Sequence, residues 1–157
     1  MEEKMPGTYK VTDNGKTLFV KWQGSLLDSR LLDLTTERYQ DARLRNGMTE
    51  VIDTRSAMIE RPADKPALVR AINQMATVYQ EIRKQIKIAR MLVVAPDQLM
   101  FEHVSEFRLL MARQSVDVIL FSSSQSLSYF LPYSPVELED IFVSLSMGNL
   151  ANFRQQA

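Results

Sequence analysis

Asp53 and Arg55 stand two apart in Glu50-Val51-Ile52-Asp53-Thr54-Arg55, a run that reads as a short strand, so both side chains project to one face near its C-terminal end. In open α/β sheets that end commonly meets ligands. A carboxylate and a guanidinium there can hold a polar ligand, or can pair with each other and position the long connection of residues 56–65. Ser122, Ser123 and Ser124 sit between a strand-like run and a helix start, where free amides either bind an anion or are capped by one of the hydroxyls. Asp53, Arg55, Ser56 and Ser123 are therefore the candidate ligand-binding residues. His103 is the single histidine, three after Met100 and four before Phe107, which places it beside an apolar helix face. General-base or metal chemistry needs companions, and Glu102 and Glu106 fall toward other faces. No catalytic residue, metal or cofactor is expected. Arg83, Lys84, Lys87 and Arg90 crowd a predicted helix end, where cations complement the helix dipole.

These residues need elements to hold them. Residues 8–12 and 17–22 alternate in apolarity around Asp13-Asn14-Gly15-Lys16, and Asn-Gly accepts the positive φ of a tight turn, so a hairpin opens the fold. Ser25 with Asp28 resembles a capping box for a helix carrying Leu27, Leu31, Leu32, Leu34 and Tyr39 inward and Asp33, Glu37, Arg38 and Asp41 outward, ended by Asn46-Gly47. Asp64 and Pro66 open a second helix, in which Leu68, Ile72, Met75, Tyr79, Ile82 and Ile86 recur at spacings of three and four. Over residues 89–121 a strand, a helix capped by Asp97 with Met100, Val104, Phe107 and Met111 inward, and a second strand make a βαβ unit. Val93 and Ile119 are expected to be buried in its two parallel strands. A short helix over residues 125–131 follows, stopped by Pro132.

One domain of α/β class fits the 157 residues, with a core over residues 8–131 and a helical extension over residues 134–157. Lys plus Arg and Asp plus Glu both number 19, a balance that argues against a dedicated nucleic-acid binder. Absence of cysteine removes disulfides and thiolate metal sites, and neither a leader-like apolar region nor a membrane-length run is present. A cytoplasmic protein is the expectation.

Trp22-Gln23-Gly24 ending the hairpin, Val51 to Arg55 as a central strand, Ala89 to Pro96, and Val118-Ile119-Leu120-Phe121 leading to Tyr129-Phe130-Leu131 resemble the STAS / SpoIIAA-like superfamily, and within it the bacterial SpoIIAA-like proteins. The resemblance covers residues 16–131 and implies a mixed sheet of about five strands with helices mainly on one face. In anti-sigma-factor antagonists of this superfamily a phosphorylatable serine opens the helix after the central strand. Here Asp64-Lys65-Pro66-Ala67 stands at that place, so Lys65 replaces the phosphoacceptor and the switch does not carry over.

Ser134-Pro135-Val136-Glu137 is a full capping box, and the helix it opens, expected to end near Gly148, has apolar groups around most of its circumference. Such a helix either covers the sheet's open face or packs on a second copy; Ile141, Phe142 and Leu145 are the candidate interface of a homodimer. The expected function is a non-enzymatic protein-interaction or regulatory domain. The alternative is a binding protein for a small lipophilic or anionic ligand, held between residues 56–65 and the strand ends.

Overall fold

The computed structural model describes residues 6–59 and 65–146. Five strands lie in chain order in one sheet: β1 (Gly7–Thr12), β2 (Thr17–Ser25), β3 (Met48–Met58), β4 (Ile88–Val94) and β5 (Asp117–Phe121). β1 and β2 are antiparallel and every later pair is parallel, the mixed α/β sheet that the sequence predicts. Between β1 and β2 lies a 3-10 turn, Asp13–Gly15, with φ of 55° at Asn14 and 89° at Gly15. A Cβ on Gly15 would stand 1.9 Å from the Arg43 carbonyl oxygen, so glycine is what lets residues 43–45 cross the hairpin there.

Strand alternation feeds two cores. Leu18, Val20, Ile52, Met91, Val93 and Val118 face α1 (Arg30–Arg38), α2 (Lys65–Ile82) and α3 (Gln98–Arg113). Phe19, Val51, Leu92, Val94 and Phe121 face the other way, onto a 3-10 turn (Gln125–Tyr129) and α4 (Pro135–Ser146). Each fully buried Leu, Phe or Met is worth roughly 1.5–3 kcal/mol, so neither face could stay bare. The predicted helix ends hold at α3, where the Asp97 carboxylate accepts from Met100 N at 2.8 Å. They hold at α4 too, where Ser134 and Glu137 exchange both capping-box bonds at 3.1 Å. Met100, Val104, Phe107 and Met111 are all buried, as their spacing requires.

Several expectations are corrected. β2 runs on to Ser25, so α1 starts five residues later than that serine, and Ser25 Oγ instead accepts from Leu27 N. α1 also stops at Arg38 rather than Gly47; Asp41 takes the Arg43 amide on its carboxylate, a local turn that competes with helix. Arg38, expected outside, is 3% exposed. Its Nη2 lies 2.7 Å from Oε2 of the fully buried Glu50, whose other oxygen accepts from the hydroxyls of Tyr39 and Tyr79. Ile119 is half-buried, because β5 is an edge strand and its neighbour Leu92, not Val93, shares its face. Finally, Phe142 and Leu145 are each 1% exposed against the chain's own sheet, with Ile141 half-buried beside them. The sheet's second apolar face claims Phe142 and Leu145, which leaves them no surface for the expected interface, whereas Ile141 keeps part of its surface open. Asp64 and Gly148 lie outside the described residues.

Candidate functional site

β3 is interrupted where it matters. Lys21 pairs with Asp53 and Gln23 with Ser56, so β3 carries one extra residue opposite Trp22, a bulge that bends the strand and re-aims its side chains. On the other side the ladder with β4 ends at Asp53 and Val94. Thr54 prolongs it by a side chain, its hydroxyl donating to the Val94 carbonyl at 2.6 Å. The Arg55 amide, outside both ladders, donates to Asp53 Oδ1 at 3.0 Å.

On the α4 face this bulge builds a balanced charge cluster. Asp53 has no exposed surface and receives the Arg55 guanidinium through two bonds of 3.0 Å, while Lys21 Nζ stands 3.7 Å away. Arg55 Nη1 reaches Glu139 on α4 at 2.9 Å and Ser124 Oγ at 3.4 Å; Ser124 in turn donates a short bond to Glu139. The Arg55 guanidinium also lies over the Phe142 ring, 5.3 Å from its centroid. Hydrogen bonding to Asp53 raises the Arg55 pKa, and the Ser124 bond, helped by Arg55, lowers that of Glu139 against a smaller opposing burial effect. Two cations face two anions here, so the cluster has no net charge left for an anionic ligand. Ser56 stands apart, exposed in an open groove of about 530 Å³ with Lys21, Ser25 and Asp28. Ser123 bonds to Ser126 at 3.2 Å. Of the four predicted ligand residues, then, Asp53 and Arg55 meet each other, while Ser56 and Ser123 lie apart from the pair.

The opposite face of the same bulge holds a cavity of about 50 Å³ between the sheet, α2 and α3. Leu26, Ile52, Met75, Val93 and Phe107 give it apolar walls, and Trp22, Thr54 and His103 also line it. Trp22 Nε1 is buried and has no hydrogen-bond partner among the described residues. His103 makes no hydrogen bond among them either, and burial lowers its pKa, which keeps the imidazole neutral near pH 7. Among the described residues no Lys, Arg, Asp or Glu lines this space.

Sequence reasoning passed over Trp22 as a site residue, although its place two after Val20 and four after Leu18 marks it for the helix face. Ser124 belongs to the serine run beside a helix start, but Lys21 and Glu139 carry no local signal, since their place in the cluster depends on tertiary packing. Neither family models nor curated proteins gave a match to the chain. Among the described residues no helix is long and apolar enough to cross a membrane.

Proposed function

We propose that the protein is a non-enzymatic binding domain that houses a small, mostly apolar molecule in the cavity between the sheet and the α2–α3 pair. The observation that carries this is the cavity itself, walled by Leu26, Ile52, Met75, Val93 and Phe107. The ionisable side chains at the strand ends are already paired, which speaks against proton transfer at that site. Native mass spectrometry of gently purified protein tests the reading: a small molecule bound one per chain is expected. Failure of any apolar probe to bind would overturn it.

A second reading, the SpoIIAA-like cytoplasmic regulator without a phosphorylatable serine, draws on two features. Lys65 is the first residue of α2, at the place the superfamily gives its phosphoacceptor. Val136 and Val143, 71% and 52% exposed, form an outward apolar stripe on α4 that a protein partner or a second copy would cover. The same spectra report subunit number.

A further inference from the structure

We propose that the end of the molecule where the parallel strands begin docks an acidic segment of a partner protein, a stretch whose carboxylates flank an apolar side chain. This rests on the regulator reading above, a domain that binds protein, and adds the surface and the class of partner.

Three turns are stitched together at that end. Gly47 N donates to the Lys87 carbonyl and Lys87 N to Asn46 Oδ1, both at 2.8 Å. Lys16 Nζ reaches the Asn46 carbonyl at 2.9 Å, and Arg45 N the Gly15 carbonyl at 3.0 Å. Three exposed cations, Lys16, Arg45 and Lys87, are thereby gathered around Asn46. The acids nearest them are already engaged, Asp41 with Arg43 at 2.6 Å and Glu81 with Lys84 at 2.9 Å.

Helix dipoles do not use up this charge. The C-termini of α1, α2 and α3 lie at the same end, each worth roughly half a negative charge that fades within its last turn, or about 1.5 charges together. Arg83 and Arg113, at the ends of α2 and α3, match that amount. Lys16, Arg45 and Lys87 belong to turns, so their charge is left to attract a partner of opposite sign and to orient it.

A groove gives that partner its footing. Arg45 and Asn46 line an opening of about 330 Å³. It shares Tyr39, Gln40, Gln85 and Ile86 with a second opening of about 370 Å³, which Val78 and Ile82 also line. An aliphatic side chain suits the inner part, and carboxylates suit the basic mouth. Nucleic acid fits less well, because bases stack on aromatic faces, and Tyr39 is 9% exposed with its hydroxyl spent on Glu50.

The test titrates isotopically labelled full-length protein with four ligands: the end-blocked peptide Glu-Glu-Leu-Leu-Glu-Glu, the same peptide with lysine for glutamate, the same with serine for leucine, and hexauridine RNA. The acidic leucine peptide is expected to bind saturably, to shift the amides of residues 44–47 and 84–87, and to weaken as salt is raised. The lysine peptide should leave those amides unmoved, and the serine peptide and the RNA should bind less tightly. Arg45→Gln with Lys87→Gln, both at exposed side chains, should weaken the acidic peptide about fivefold, as loss of two exposed ion pairs would. Arg70→Gln with Arg108→Gln, equally exposed on α2 and α3, should leave its affinity unchanged. RNA binding more tightly than the peptide, equal weakening by both double variants, or no shift at these amides overturns the inference. That failure is distinct from failure of the regulator reading, which the Val136 and Val143 stripe on α4 carries independently.

Discussion

Arg55 Nη1 lies 2.9 Å from Glu139 Oε1 and joins residues 84 positions apart in the chain. The contact fastens the bulge of β3 to the helix that closes the second core, and it leaves Asp53 dependent on the same guanidinium.

Removing the guanidinium is therefore expected to hurt far more than removing its outer partner. Arg55→Ala leaves the buried Asp53 with Lys21 at 3.7 Å as its remaining cation, and should cost about 2–4 kcal/mol. Glu139→Gln, at a side chain 43% exposed, should cost less than about 1 kcal/mol. Denaturant melts of the two variants, compared at equal slope, check the order; equal losses would break the argument.

Glu50 holds the other buried charge. Glu50→Ala leaves the buried Arg38 with the Thr35 and Tyr79 hydroxyls but no counter-charge, and is expected to cost about 3–5 kcal/mol. Burial first, and the Glu50 charge second, push Tyr39 and Tyr79 well above the ordinary tyrosine value of 10.0. Alkaline ultraviolet titration should then show these two ionising only as the chain unfolds.

Phe142 and Val136 lie on different faces of α4, 1% and 71% exposed. Phe142→Ala should lower stability by about 3–5 kcal/mol and leave the number of subunits unchanged, because its contacts are with Phe19 and its own sheet. Val136→Ser should barely move the melting curve. Light scattering run beside the melts separates packing from association.

His103 gives stability a pH window. Burial holds its folded pKa below 6.5, so the unfolded chain takes up the proton first as pH falls. The contribution is complete above 6.5 and is lost as pH drops through the lower folded value. Urea midpoints should fall across mildly acid pH, and His103→Gln should flatten that slope. Asp41 acts elsewhere on the scale: hydrogen bonds from Arg43 draw its carboxyl from 3.8 to about 2, so its contribution disappears only between those values.

Local chemistry was easy to read from the sequence. Asp97 and Ser134 cap the helices they precede, and the three-and-four spacing of Ile72, Met75, Tyr79 and Ile82 gives the buried side of α2. Asp53 and Arg55 meet, as two residues on one strand face should. Arg38 was misjudged because a charged residue seven after Leu31 reads as solvated, and nothing near it in sequence reveals Glu50, twelve residues on. Composition could not say which surface α4 would cover. That depended on a face assembled from Phe19, Val51, Leu92 and Val94 on three separate strands. The bulge opposite Trp22, beside both the charge cluster and the cavity, is a matter of register between strands and has no signature within either one.

Because the strands lie side by side in the order of synthesis, each can add to the edge left by the one before, and early folding needs few distant encounters. The exception is the closure. Thr8 Oγ1 donates to the Leu145 carbonyl across 137 positions, and Tyr133 donates to Thr12 across 121. A growing chain thus completes its sheet while the Phe19–Leu92 side is still bare, and that side stays sticky until α4 has left the ribosome. The arrival of α4 ends the period of risk, which makes a truncation before residue 135 a prescription for aggregation rather than for a smaller domain.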